Sequence, residues 1–292
     1  MKPILVPTDF SHASANAARY GVALANSFNQ KVILFNSYQP MPLPAVGLPV
    51  FIEAENMQQM SMNDLRQLAL RLDPSSQGIV EVDCLQGPAI PTIIEKARDC
   101  NAQLIITGVK SHHRTAMKFF GSTTTALLRH TELPMIVVPE SSSYKRIKTI
   151  ALAFESDATF NVNPRMLDTF IAIATHFHAQ VYVVRVSDKK IRDSFEYVKK
   201  PYRLLGMMRN INPVVSEISA TRVEDGLNNF VVSHRVDMLA VLPHEHSLLE
   251  LLFKSTTTER LIAASSIPLL LLPPLPPVNI SLVRDTHEAT TK

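Results

Sequence analysis

The chain has 292 residues, 46% of them hydrophobic and 19% charged, a globular composition with length enough for two domains of common size. Its formal net charge of +3 is slight, and the lysines and arginines form no basic run, which disfavours nucleic acid as a partner. The two cysteines, Cys84 and Cys100, make neither a disulfide framework nor a metal spacing. The densest apolar run, Ile267 to Leu272, falls far short of the ~20 residues that span a bilayer. At the start of the chain Asp9 arrives too soon for the apolar core of a signal peptide, so a cytoplasmic protein without a membrane partner is expected.

In chain order, Ile4-Leu-Val6 is a first short strand, and Ser14 to Phe28 a helix with alanines and apolar residues at helical spacing. Val32-Ile-Leu-Phe35 is a second strand. The Pro-rich insert Gln39 to Pro49 that follows can be neither regular helix nor central strand; it either acts as a flap over a site at the sheet's C-terminal edge or only covers apolar surface or packs on a partner. Phe51 to Leu72 (helix), Ile79 to Val82 (strand), Ile90 to Asp99 (helix), Leu104-Ile-Ile106 (strand), Ser122 to His130 (helix) and Met135 to Val138 (strand) complete a first series. After the polar stretch Glu140 to Arg146 the strands restart at Ile150 to Leu152, Val181 to Val184, Val214 to Ile218, Met238 to Val241 and Leu269 to Leu272. Short branched runs alternating with longer amphipathic ones predict parallel α/β sheets, and a repeat of about 140 residues is that of a whole domain. The expected division is residues 1–140, residues 146–275 and a loose tail 276–292, with the boundary at Ser141 to Lys145 and each half able to bury its own core.

In an open parallel sheet a ligand sits beyond the carboxyl ends of the strands where the strand order reverses, because adjacent loops diverge there. The loops after the first and fourth strands, Pro7-Thr-Asp-Phe-Ser11 and Gly108-Val-Lys-Ser111, are therefore the candidates, the second being followed after nine residues by Gly121-Ser-Thr123. Gly108 is expected to allow backbone to approach a ligand, Gly121 to turn the next amides inward, and Ser122 and Thr123 to offer hydroxyls at the positive end of a helix. That is a phosphate cradle. The same residues also describe a loop end with a capped helix, and Asp9 can likewise be read as an N-cap. The frame returns as Met238 to Thr258 without either glycine: Lys254 falls at the Gly121 position, Val241 or Leu242 at the Gly108 position and Glu155 where Asp9 sits. Lys254, Ser255 and Thr256 make a candidate second anion site there, beside the alternative of a capped helix.

Several other signals are discounted. His112-His113 and His244-Glu-His246 lack a third ligand at a recognised spacing. The chain carries no Gly-x-x-x-x-Gly-Lys-Ser/Thr run, no Gly-x-Gly-x-x-Gly turn and no Gly-x-Ser-x-Gly elbow.

Gly108, Gly121 and Ser122, with Ile4-Leu-Val-Pro-Thr-Asp-Phe-Ser11, Gln86-Gly-Pro-Ala-Ile90 and Glu132-Leu-Pro-Met-Ile-Val-Val-Pro139, resemble the motifs of the universal stress protein family in a tandem arrangement. The family pattern is Gly, two residues, Gly, nine residues, Gly, then Ser or Thr, and this chain departs from it with Ser111 at the second glycine. The resemblance covers residues 2 to about 274. It implies two doubly wound α/β domains, each a five-stranded parallel sheet of order 3-2-1-4-5 with helices on both faces, packed as an intramolecular pseudo-dimer, with further association into a homodimer left open. It also implies ATP or AMP, with or without Mg, as ligand: Asp9 near the adenosine, Pro7 and Thr8 lining its pocket, Ser37 at the adenine edge, Gly108, Lys110 and Ser111 flanking ribose and phosphates, and Gly121, Ser122 and Thr123 holding the phosphates. The implied work is stress-linked regulation by bound nucleotide with little or no turnover. A slow ATPase or phosphotransferase using Asp9 or Glu155, and a scaffold that binds no nucleotide, are the alternatives.

Overall fold

The computed structural model describes residues 2–40, 42–43, 50–51, 54–74, 78–110, 122–154, 167–187, 202–220, 223–242 and 267–272. The first series runs β1 (Ile4–Pro7), α1 (His12–Phe28), β2 (Val32–Tyr38), β3 (Pro42–Leu43), β4 (Val50–Phe51), α2 (Ala54–Leu72), β5 (Val80–Gln86), α3 (Ala89–Asp99), β6 (Leu104–Val109), α4 (Ser122–His130) and β7 (Met135–Pro139). The second runs β8 (Thr149–Phe154), α5 (Asp168–Phe177), β9 (Gln180–Ser187), α6 (Tyr202–Met207), a short 3-10 helix Arg209–Ile211, β10 (Val214–Ser219), α7 (Val223–Ser233), β11 (Met238–Leu242) and β12 (Leu269–Leu271). All ten expected strands are present. Among the described residues, β3 within the Pro-rich insert pairs antiparallel with β4 just after it, outside the main sheet.

Each half has the doubly wound order, β5-β2-β1-β6-β7 and β10-β9-β8-β11-β12, with parallel neighbours throughout. The two sheets do not stand apart. β7 and β12 pair antiparallel, Met135 with Leu271, Ile136 with Leu270 and Val137 with Leu269, and this fuses them into one ten-stranded sheet. Ile136 and Leu270 occupy equivalent places in their halves, so a pseudo-twofold axis passes between them, as an isologous contact requires. Two copies of one edge thereby remove each other's unpaired amides and carbonyls from solvent.

Helix α1 is alanine-rich and almost free of branched residues, which favours helix and permits close packing on the sheet. It ends at Asn29 in the left-handed region, whose amide reaches back to Ala25 and Asn26; α5 ends the same way at His178, reaching Ala174 and Thr175. The last helical residues, Phe28 and Phe177, are again equivalent, and their rings meet edge-to-face at 5.7 Å across the axis. The expectation of one core per half is corrected here. On the α1 and α5 face a single buried cluster runs from Val32 and Leu34 through Val6, Ile106, Ile136 and Leu270 to Ile150, Val181 and Phe170. Two smaller clusters occupy the other face, under α3 and α4 and under α7.

The stretch between β7 and β8 is tied along α1. The Asn16 side-chain amide donates to the carbonyls of Pro139 (3.1 Å) and Ser142 (2.7 Å), and the Tyr144 ring meets the buried Tyr20 ring edge-on at 5.2 Å. Burial, with Tyr144 and Asp237 nearby, pushes the Tyr20 hydroxyl far above the usual tyrosine range. No described helix is long and apolar enough to cross a membrane. The tail, residues 276–292, lies outside the described residues.

Because Leu270 is fully buried at the axis, Leu270→Ala should lower the stability of the whole chain by about 3 kcal/mol, and urea denaturation followed from both halves should show one shifted transition. Two separate transitions, with the first half unmoved, would contradict a shared core.

Candidate functional site

The sheet splits at the C-terminal end of the first half. β1 stays registered with β2 as far as Pro7 opposite Phe35, and β6 with β7 as far as Val109 opposite Pro139, but β1 and β6 pair only at Ile4–Leu104 and Leu5–Ile105. Beyond that point the two strands part, as expected where the winding direction reverses. Pro7, Thr8 and Asp9 stand on one side of the split, with Ser37 one strand further out; Gly108 and Lys110 stand on the other.

A polar network holds the β1 side. Thr8 is buried; its amide donates to the Phe35 carbonyl (2.8 Å), its carbonyl accepts from the Asn36 side chain (2.7 Å), and the Ser61 hydroxyl on α2 donates to Asn36 Oδ1 (2.8 Å). Thr8 Oγ1 lies 3.0 Å from Ser14 Oγ and accepts from the Phe10 amide (3.1 Å). Phe10 adopts φ 63° to make this turn. The helix cap is Ser11, not Asp9: Ser11 Oγ accepts from the Ser14 amide at 3.3 Å, while Asp9 Oδ1 accepts from the Ser11 amide at 3.0 Å. Partial burial alone would raise the Asp9 carboxyl; hydrogen bonds from Ser11 and Ser14 outweigh it and leave the group below the ordinary aspartate range. The exposed carboxylate remains available beside the split.

Gly108 has a packing reason besides the one its sequence context implies. A Cβ there would lie 2.1 Å from the Ala13 carbonyl oxygen and 2.9 Å from the Ser14 nitrogen. The glycine lets the first turn of α1 sit against β6, and that turn closes the split on the α1 face. Any ligand between the strands must then lie on the opposite face, over α3 and α4. Leu5, Ile33, Phe35 and Ile105 point that way, into the cluster with Ile93 and Leu127, and strand alternation carries Pro7, Ser37 and Thr107 to the same face.

On the β6 side of the split, Lys110 is exposed at the end of β6, and α4 opens at Ser122 with Thr123 exposed in its first turn. The first amides of a helix lack intrahelical partners and carry the positive end of its dipole. Ser111 and Gly121, with His112 and His113, lie outside the described residues; of Ser122 only the backbone is described. Also outside them are Glu155, Lys254, Ser255 and Thr256 of the second half, with His244 and His246.

Strand register settles what the second half places under its own crevice. Ile4 pairs with Leu104 as Ile150 does with Met238, so Leu242 takes the Gly108 position and Val241 that of Thr107; Phe154 replaces Thr8. The register of β9 puts Arg185, in an ion pair with Glu217 at 2.7 Å, where Asn36 stands beside Cys84. A cavity of about 530 Å³ lined by Leu24, Phe28, Pro134, Asp168 and Ile173 lies at the opposite edge of the first half and contains none of the expected nucleotide residues. Sequence reading passed over Ser11, Ser14, Asn36 and Ser61; the visible signal was an asparagine interrupting the apolar run Val32-Ile-Leu-Phe-Asn36.

The model of the Universal stress protein family matches residues 1–139. Universal stress protein Rv2624c of Mycobacterium tuberculosis is 31% identical over 140 residues, which are 47% of this chain and 48% of that protein, so the match spans about half the length of that relative. Universal stress protein MJ0531 of Methanocaldococcus jannaschii is 24% identical over 47% of this chain and 81% of its own. Among solved structures, a universal stress protein from Archaeoglobus fulgidus superposes with a TM-score of 0.71 at 15% identity, covering 93% of this chain and 98% of that one; the common ground there is the tandem fold.

Two outcomes follow from the site geometry. Gly108→Ala forces Cβ into α1 backbone and should destabilise by about 3 kcal/mol or more, seen as a lower urea midpoint with no nucleotide present. The lowered carboxyl of Asp9 favours the folded state when ionised, so its contribution is present above about pH 4 and is lost as pH falls through the folded-state value. The stability difference between wild type and Asp9→Asn should therefore shrink between about pH 5 and pH 2, and a difference that grows in acid would refute the assignment.

Proposed function

Because residues 1–139 belong to the universal stress protein family, we propose that the first half binds an adenine nucleotide, ATP or AMP, in the split between β1 and β6, and that the chain regulates a cytoplasmic stress response through that occupancy. The observation that carries the reading is the split itself: it opens at the switch point, is closed on one face by α1, and has a lysine and a helix N-terminus on its phosphate side. Asp9, Pro7, Thr8 and Ser37 serve the adenosine end; Gly108, Lys110, Ser111, Gly121, Ser122 and Thr123 serve ribose and phosphates, with or without Mg. Adenine recognition through backbone and hydroxyl groups needs no strongly charged pocket, in keeping with the slight net charge of +3.

The reading assigns binding without efficient turnover. Among the described residues Asp9 is the carboxylate at the split, and a group held below its ordinary pKa and engaged by the Ser11 amide is a poor base for activating water. The second domain, residues 146–275, has a structural or regulatory part: Phe154, Val241 and Leu242 present apolar surface where the first half has Thr8, Thr107 and Gly108. Any second anion site there rests on Lys254, Ser255 and Thr256.

Mass analysis of small molecules released on denaturing protein purified from cells should recover ATP or AMP. Calorimetric titration with ATP should give one site per chain, with Lys110→Ala weakening it about fivefold through loss of one charge contact. Phosphate release should stay near background. Turnover abolished by Asp9→Asn would favour a slow ATPase, and absence of both released nucleotide and any thermal shift would favour a scaffold.

A further inference from the structure

Thr107 sits in β6 one residue before Gly108. It is 5% exposed, and among the described residues its Oγ1 has no hydrogen-bond partner. A buried hydroxyl in that condition costs the folded chain stability, and each such group in a native protein calls for a reason. The fold does not demand one here, because the equivalent place in the second half is filled by Val241, 4% exposed, a side chain of nearly the same shape without the oxygen. Nor does the strand: Leu104, Ile105 and Ile106 before it are apolar and wholly or almost wholly buried.

Position supplies the reason. Pairing of β1 with β6 ends at Leu5–Ile105, so at the level of Pro7 and Thr107 no ladder hydrogen bonds tie the two strands. The α1 face of this gap is closed at Gly108, and the Thr107 side chain belongs to the other face, shared with Pro7 and Ser37. Across the sheet, Ser37, Pro7 and Thr107 stand on successive strands β2, β1 and β6, so Thr107 lies roughly 10 Å from the adenine end, toward α4, where the phosphates would lie. In a nucleoside phosphate the group between base and phosphate is the ribose.

We propose that the Thr107 hydroxyl is a specificity-determining group that reads the ribose diol of the bound nucleotide, a role that rests on the nucleotide reading given above. The hydroxyl both donates and accepts, as each ribose hydroxyl does, so a single bond satisfies the protein group and identifies the sugar. A deoxy ligand leaves Thr107 as it stands in the ligand-free chain. The second half, with Val241, has lost this discrimination together with the rest of its polar lining.

Calorimetric titration of ATP, 2′-deoxy-ATP and 3′-deoxy-ATP against the full-length wild type, T107V and T107S tests it. The wild type should bind ATP about five- to tenfold more tightly than at least one deoxy analogue. T107V should lose about the same factor for ATP and bind that analogue no more weakly than ATP, so that the two changes are not additive; T107S should keep the preference. Without nucleotide, T107V should have a urea midpoint equal to or above that of the wild type, which also certifies that the variant folds. Unchanged ATP affinity and preference in T107V would overturn the role of Thr107 and leave the nucleotide reading standing, as would a wild type that binds ATP and both analogues equally. A wild type that binds none of the three would overturn both.

Discussion

The antiparallel pairing of β7 with β12 is the constraint on which the remaining structure hangs. Three residues from each half form it, all buried, and it turns two five-stranded sheets into one with a continuous core on the α1 and α5 face. An open parallel sheet ends in edges that invite association. Here the last strand of each copy satisfies the other, and the rings of Phe28 and Phe177 then meet above the same axis. Helix α1, which carries Phe28, begins beside the first crevice, so the geometry of that crevice is referred to the axis through a single rigid element.

Within the first half, packing and binding geometry come from the same contacts. The approach of α1 to Gly108 fixes the start of the helix, the Ser11 cap fixes its direction, and the network from Thr8 through Asn36 to Ser61 ties that start to β2 and α2. Between β1 and β6 the strands part beyond Leu5 and Ile105, and among the described residues the polar groups beside that split are a few hydroxyls, the Asp9 carboxylate and Lys110.

Much of the fold was legible because short branched runs between amphipathic ones leave few alternatives: each strand core of the ten-stranded sheet was visible as a short apolar run bounded by turn formers, whereas the small β3–β4 pair was not. The pairing of β7 with β12 was not, since Met135-Ile-Val-Val138 and Leu269 to Leu272 look like any buried strands and nothing in them names a neighbour. At Gly108 the structure adds a reason the sequence could not name. A glycine at a strand end signals close approach, but whether helix or ligand approaches is decided by a tertiary contact with Ala13. The position of Asp9 two residues before the true cap illustrates the usual blur at helix starts. Thr107 was hidden because a threonine in a strand is unremarkable until its hydroxyl proves to have no partner among the described residues.

Since β7 and β12 run in opposite directions, the carboxyl ends of the strands in the two halves face opposite rims of the common sheet. The two sets of strand ends therefore open at opposite rims. After a duplication, such an arrangement places the copies under unequal selection: the edge strand of each is held fixed by the other, whereas either crevice can drift without touching its twin. Phe154, Val241 and Leu242, apolar where the first half has Thr8, Thr107 and Gly108, are what drift looks like at one rim.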